Sequence, residues 1–184
     1  MPPRPQVSVF IATSLDGFIA RPDGSLDWLE AANRSIPPGE DCGYGAFMAG
    51  VDTLVMGRKT FETVSGFPEW PYPGKRVIVL STQADAVPAA FTDRATRRAA
   101  APEALLAELA ITGARHIYLD GGVTIQNFLR AGLVDDITIT LIPLLLGAGR
   151  PLFGGLEAIQ ALTLTASRAY PFGFVQNSYR VIRD

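Results

Sequence analysis

Three short stretches combine glycine, hydroxyl and cationic residues in the way that anion binding requires. Val55-Met-Gly-Arg-Lys-Thr60 reads as a strand that ends on Gly57, with a helix opening behind it. The first amides of a helix lack intrahelical partners and carry the positive end of its dipole, so they attract phosphate. Gly57 lets a phosphate approach the backbone, Thr60 offers a hydroxyl, and Arg58 and Lys59 add positive charge. An ordinary strand-to-helix turn with solvated basic residues would use the same composition, so both readings stand at this point. Leu119-Asp-Gly-Gly-Val-Thr124 repeats the logic: a strand, then Gly121 and Gly122, then a helix through Val123 and Thr124. Two such turns in one sheet suit a pyrophosphate-linked dinucleotide. The spacing is not G-x-G-x-x-G, which argues against a standard Rossmann domain. Leu80-Ser81-Thr82 ends another strand. NAD sites often place an acid there to hold the ribose 2′-hydroxyl. Two hydroxyl residues, with Arg58 and Lys59 near, suit a 2′-phosphate better and favour NADP over NAD.

Other chemically capable residues are isolated. Asp41 precedes a helix running through Gly50 and suits an N-cap. Tyr44, Phe47 and Met48 share one face of that helix, a spacing that makes them core residues by default. Asp16, followed by Gly17, reads first as a turn residue. Cys42 has no histidine in its neighbourhood to activate it as a nucleophile. His116 starts a strand and reads as structural. Arg150, next to Pro151, either binds an anion or supports the fold.

The elements that position these residues follow from pattern. Val7–Thr13 is a short β-branched and aromatic run, hence a buried first strand. Ser14–Ser25 holds two Asp-Gly pairs and reads as a loop, followed by a short helix over Leu26–Ala32. Further strands are expected at Asp52–Met56, Lys75–Leu80, His116–Asp120 and Asp136–Ile142. Pro102 suits the first turn of a helix to about Ile111, and another helix follows Gly121-Gly122 and runs to Ala131. Ala161–Tyr170 and Phe174–Ile182 flank Pro171-Phe-Gly173 as a closing hairpin. Strands alternate with helices first and then follow one another. That order implies an α/β fold with a mainly parallel sheet and an antiparallel C-terminal edge.

Composition sets the outer bounds. The chain has 184 residues, sufficient for one domain with a sizeable core. Charged residues make up 18%, below the roughly 25% of an average globular protein. Such a deficit hints at apolar surface covered by a partner subunit. The net charge of −2 and the lack of a basic face, apart from the stretch Arg94–Arg98, argue against nucleic-acid binding. One cysteine and one histidine exclude an internal disulfide and a multi-histidine or thiolate metal site. The N-terminus lacks the apolar core of a signal peptide, and Leu141–Leu146 is too short to span a bilayer. The expectation is a cytoplasmic protein with no metal and no membrane contact.

Taken together, Gly57-Arg-Lys-Thr60, the Ser81-Thr82 strand end, Gly121-Gly122 and the first strand with its Asp-Gly loop resemble the dihydrofolate reductase superfamily. Ser14-Leu-Asp-Gly-Phe-Ile-Ala20, Asp120-Gly-Gly122, Gly132-Leu-Val-Asp-Asp-Ile137 and Leu145–Phe153 are similar to its RibD C-terminal domain branch. The resemblance runs from about Val7 to Arg183. It implies a three-layer α/β/α fold, one domain over residues 1–184, bound NADPH, and hydride transfer to a C=N or C=O carbon of a small heterocycle. By the same resemblance Ala12, Ile19 and Ala20 border the nicotinamide. Gly57–Thr60 and Gly121–Thr124 hold the pyrophosphate, and Arg58, Leu80, Ser81 and Thr82 the 2′-phosphate side. Folate reductases carry an acid where Asp41 stands here, and the riboflavin branch keeps an Asp-Gly near substrate, which makes Asp16 the rival. Trp28 matches a tryptophan beside the folate pocket, although Asp27 stands where folate reductases have proline. Tyr44 and Phe47 would wall the same pocket. The family commonly dimerises, and Ile139–Leu146 could supply that interface. Three readings result: a stand-alone reductase of a small pteridine- or pyrimidine-like substrate, the 5-amino-6-(5-phosphoribosylamino)uracil reductase of riboflavin synthesis, or a non-catalytic nucleotide-binding protein.

Overall fold

A computed structural model describes residues 2–183. Its centre is an eight-stranded sheet in the order β5-β4-β3-β6-β1-β7-β10-β9. The strands are β1 (Gln6–Ser14), β3 (Thr53–Gly57), β4 (Arg76–Leu80), β5 (Thr96–Arg98), β6 (His116–Asp120), β7 (Asp136–Ile142), β9 (Leu162–Ala169) and β10 (Val175–Val181). β5 through β7 lie parallel. β10 pairs antiparallel with β7, and β9 with β10. The mixed sheet expected from the order of elements is therefore the observed one. Two very short strands, β2 (Phe18–Ala20) and β8 (Arg150–Pro151), form a separate antiparallel pair beside it.

Side-chain alternation sorts the sheet into two faces. Val7, Val9, Val55, Ile78, Ile117, Leu119 and Ile137 point one way. They pack under α4 (Pro102–Ile111) and α5 (Gly122–Arg130), which contribute Leu105, Leu109, Ile125 and Phe128. Leu54, Met56, Val77, Val79 and Tyr118 point the other way. They meet α2 (Tyr44–Gly50) and α3 (Arg58–Ser65), whose Phe61 and Val64 are buried there. Pro102 opens α4 at its first position, as its fixed φ favours. A third cluster gathers Trp28 of α1 (Asp27–Asn33) with Cys42, Ile142, Tyr170 and Phe174. Among the described residues no helix is long and apolar enough to cross a membrane.

The Ser14–Ser25 loop holds more order than its Asp-Gly pairs suggest. Phe18 pairs with Pro151 and Ala20 with Arg150. Arg150 lies flat on the Asp23-Gly24 turn, so close that a Cβ on Gly24 would stand 2.8 Å from the guanidinium. Gly24 also has φ +93°, which a side chain rarely adopts. Arg150 thus belongs to the support of this loop.

Candidate functional site

The parallel strands β1, β3, β4 and β6 all deliver their carboxyl ends to one edge of the sheet, where ligands of open α/β sheets bind. β3 and β6 are neighbours, with Met56 opposite Asp120. Their following helices, α3 and α5, therefore start side by side. The two glycine turns interlock there. A Cβ on Gly57 would come within 3.3 Å of the Thr124 hydroxyl, and one on Gly121 would collide with the Thr60 hydroxyl. Gly121 has φ +90°, so glycine is required there by conformation as well as by space. A Cβ on Gly122 would lie 3.0 Å from Ile19 Cδ1 and 3.1 Å from the Pro151 carbonyl oxygen. Gly57, Thr60, Gly121, Gly122, Thr124 and Ile19 thus form one cluster.

β4 extends this edge outward. Gly57 is in register with Leu80, and Leu80 with Arg98. The Ser81 amide donates to the Arg98 carbonyl, and Arg97 Nη1 donates to the Ser81 carbonyl at 3.0 Å. The Ser81-Thr82 loop accordingly has a guanidinium attached to it from β5. Arg58, at the start of α3, pairs with Glu62 one turn on; the Glu62 side chain is exposed and that of Arg58 half-buried.

At the floor of the edge stands Asp120, the last residue of β6. Its Oδ1 accepts the Gly121 amide at 2.8 Å. Part of the residue meets solvent, but protein surrounds the carboxyl closely. Desolvation raises it from 3.8 to about 6, and the Gly121 hydrogen bond opposes that rise. Its charge is felt by Tyr44, whose hydroxyl is pushed up to about 12, chiefly by burial. Burial is also the main cause that raises Tyr72 and Tyr118, and Asp120 adds to it. Tyr118 donates to the Phe10 carbonyl at 2.9 Å.

Asp41 and Asp16 have different surroundings. Asp41 accepts the Gly43 and Gly45 amides, both at 2.8 Å, and opens α2 as a cap. Those amides hold its carboxyl below the usual range. Asp16 accepts the Ser14 hydroxyl at 2.6 Å and the amides of Leu146 and Gly147, which ties the loop after β1 to the segment after β7. The Ser14 hydroxyl is the largest cause that lowers its pKa. Both groups are exposed and ionised at neutral pH.

The aromatic residues divide by position. Phe47 stacks on Phe10 with ring centroids 4.9 Å apart and meets Tyr118 edge-on at 5.1 Å, so it fastens α2 to the sheet. Tyr44 meets Phe10 edge-on, with ring centroids 5.8 Å apart. Trp28 is buried in the third cluster, next to Ala12, and its Nε1 is the one buried side-chain polar atom without a partner among the described residues. Cys42 is buried, and burial raises its thiol pKa. Gln176 Nε2 holds the Cys42 carbonyl at 2.9 Å and Thr140 Oγ1 at 3.0 Å, which fixes the segment before α2 against β7 and β10. Two residues of this edge are not among the site candidates read from the sequence: Asp120 and Arg97. Each had a signal there, Asp120 in the Asp120-Gly-Gly122 motif and Arg97 in the basic stretch Arg94–Arg98. The raised pKa of Asp120 depends on burial from several elements, which the sequence does not display.

Known proteins share this architecture. The family described as the RibD C-terminal domain matches residues 5–175. YwjB of Bacillus subtilis (strain 168), an uncharacterized protein, is 34% identical over 168 residues, 88% of this chain and 90% of its own. The riboflavin biosynthesis protein RibD of Corynebacterium ammoniagenes is 31% identical over 171 residues, and this chain spans 50% of its length. A crystal structure from Shewanella sp. PV-4, provisionally assigned to riboflavin biosynthesis, superposes with a TM-score of 0.90 at 42% identity, covering 97% of this chain and 99% of that one. The deaminase/5-amino-6-(5-phosphoribosylamino)uracil reductase of Thermotoga maritima superposes with a TM-score of 0.74 at 13% identity, covering 97% of this chain and 57% of that one. This last likeness speaks for the fold.

Proposed function

The chain belongs to the RibD C-terminal domain family, and from that premise we propose that it is an NADPH-dependent reductase of a small pteridine- or pyrimidine-like heterocycle. The observation that carries the proposal is the interlock of the Gly57 and Gly121 turns beside the recessed carboxyl of Asp120. The residues fit the cofactor: two adjacent helix starts lined by glycine suit a pyrophosphate, and Ser81, Thr82, Arg58 and Arg97 suit a 2′-phosphate. NADPH, when bound, supplies the hydride from nicotinamide C4.

The protein's own part is binding, orientation and proton control. Gly57–Thr60 and Gly121–Thr124 hold the pyrophosphate through backbone amides and the two threonine hydroxyls. Ala12, Ile19 and Ala20 border the nicotinamide with backbone, and Leu80 with its neighbours lines the adenosine side. Trp28, Tyr44 and Phe47 wall the substrate side and exclude water. Asp120 holds a proton for the substrate atom next to the carbon that is reduced. A carboxyl near 6 keeps a useful protonated fraction near neutrality, whereas Asp16 and Asp41 are committed as acceptors. In this reading those two shape the loops on either side of the substrate. All 184 residues act as one catalytic unit in the cytoplasm.

The names of two similar proteins support a second reading, reduction of 5-amino-6-(5-phosphoribosylamino)uracil itself. The test is NADPH oxidation followed by absorbance with dihydropterins and with that pyrimidine in turn. Turnover with any of them that is lost in Asp120→Asn, while NADPH affinity is kept, is the expected result. NADPH binding without turnover of any of them, and with no effect of Asp120→Asn, would favour a non-catalytic nucleotide-binding protein.

We further propose a homodimer. Every residue of β9 is exposed, Leu162 and Leu164 among them, and Ile139 and Leu141 of β7 are only half-buried. Exposed apolar side chains along this end of the sheet suit an interaction surface.

A further inference from the structure

The connection between β7 and β9 is built onto the Ser14–Ser25 loop along most of its length. The Leu146 and Gly147 amides donate to the Asp16 carboxylate at 3.1 and 2.8 Å. A Cβ on Gly149 would collide with the Ala20 carbonyl oxygen. β8 pairs with β2, and the Leu152 amide donates to the Gly17 carbonyl at 3.0 Å. Loop and connection therefore form one mechanical unit, in which Ile19 and Ala20 move only together with Pro151 and Leu152.

That unit meets α5 at its first turn. A Cβ on Gly122 would lie 3.0 Å from Ile19 Cδ1, 3.1 Å from the Pro151 carbonyl oxygen and 3.9 Å from Gln126 Nε2. Gln126 stands one turn after Gly122 and faces the same side of the helix. Its Nε2 donates to the Pro151 and Leu152 carbonyls, both at 3.2 Å. A side-chain amide nitrogen carries two N–H donors, and here they hold two consecutive carbonyls. Neither bond serves α5 itself. Both run from the helix that opens at the Gly121-Gly122 turn to the unit that carries Ile19 and Ala20.

We infer that Gln126 is a positioning residue: through Pro151 and Leu152 it sets where Ile19 and Ala20 stand relative to the helix start at Gly122. It thereby couples the nicotinamide side of the cofactor site to the pyrophosphate side. The inference rests on the reductase reading, in which Ile19 and Ala20 border the nicotinamide and Gly121–Thr124 holds the pyrophosphate. Arg130, one turn further along α5, supplies the comparison. It donates to the Gly155 carbonyl at 3.4 Å, beyond β8, where the connection is no longer paired with the loop.

Calorimetry with two ligands separates the halves of the cofactor: NADPH, and 2′-phospho-ADP-ribose, which keeps the phosphates and lacks the nicotinamide. The ratio of the two affinities reads the nicotinamide contribution, which a general loss of fold would not single out. Gln126→Met has similar length and no donor. It should weaken NADPH by about tenfold, the scale of two lost hydrogen bonds, and leave 2′-phospho-ADP-ribose within about twofold of the parent. Gln126→Lys returns donors to this place, and its charge acts on both ligands alike, so it should restore most of the parent ratio. Arg130→Met should keep the parent ratio. If Gln126→Met does not fold, Gln126→Asn, whose amide sits on a stem one methylene shorter, takes its place in the same titrations. Equal loss for both ligands, loss for neither, or the same change of ratio in Arg130→Met would overturn the inference. Equal affinity of the parent for the two ligands would overturn it as well. In each of those cases a parent that binds NADPH leaves the cofactor reading in place, whereas a parent that binds neither ligand removes both.

Discussion

Asp16, Asp41 and Asp120 are the same residue type at one edge of one sheet, and their surroundings give them different chemistry. Backbone amides and a hydroxyl stabilise the charged forms of Asp16 and Asp41. Desolvation disfavours the charged form of Asp120 and raises it to about 6. The sign of the consequence follows from linkage. A carboxyl whose pKa is raised by folding favours the folded state below its unfolded pKa near 4. That contribution is lost as the pH rises through about 6. Asp120→Asn removes the charge and keeps an acceptor for the Gly121 amide. It should therefore be more stable than the parent at pH 7.5, by on the order of 2–3 kcal/mol, with little difference at pH 4; denaturant unfolding at both values reads this. In the same variant kcat/KM should fall by about a hundredfold, the scale of a lost general acid. The decline of activity above pH 6 should also vanish. A pH profile that is unchanged in Asp120→Asn would remove Asp120 from the proton step.

Elements bring these residues together, and the close fit of the α3 and α5 starts is the point most sensitive to change. Gly121→Ala puts a side chain at φ +90° and into the Thr60 hydroxyl. The expected cost is about 1–3 kcal/mol of stability, with at least a tenfold loss of NADPH affinity. Adding Thr60→Ala should recover part of the stability by opening space, while the backbone strain remains. Long apolar runs made most elements legible in the sequence: β1, β3, β4, β6, β7 and the hairpin of β9 and β10 fall within a residue or two of their expected limits. α2 starts at Tyr44, three residues after Asp41, because Asp41 caps it from outside through Gly43 and Gly45. β2, β5 and β8 were not legible, since two or three residues cannot show an alternation and their pairing partners lie far along the chain. The glycine turns were legible as turns; their mutual fit was not, because it depends on β3 and β6 being neighbours.

At the scale of the whole molecule the sheet has two unlike ends. The β5 edge carries basic residues next to the Ser81 loop. The β9 edge is a long exposed strand with Leu162 and Leu164 on its surface. Natural sheets protect such edges, and this one has a bulge at Ser178/Tyr179, where Thr165 folds its hydroxyl onto the Ser178 carbonyl. In the proposed dimer, a second copy would cover this edge. Leu164→Glu should convert a dimer to a monomer in light scattering after gel filtration, with NADPH affinity within about twofold of the parent. A parent protein that is monomeric at the highest concentration would refute the dimer and leave the site untouched.

The central claim is the cofactor, and one calorimetric titration of the purified protein, with NADPH and with NADH, tests it most directly. The account predicts micromolar NADPH binding, at least about tenfold weaker NADH, and a preference that shrinks in Arg58→Ala and in the Ser81→Ala/Thr82→Ala pair. Absence of heat with either nucleotide would contradict it, and would leave the interlocked turns as a feature of the scaffold alone.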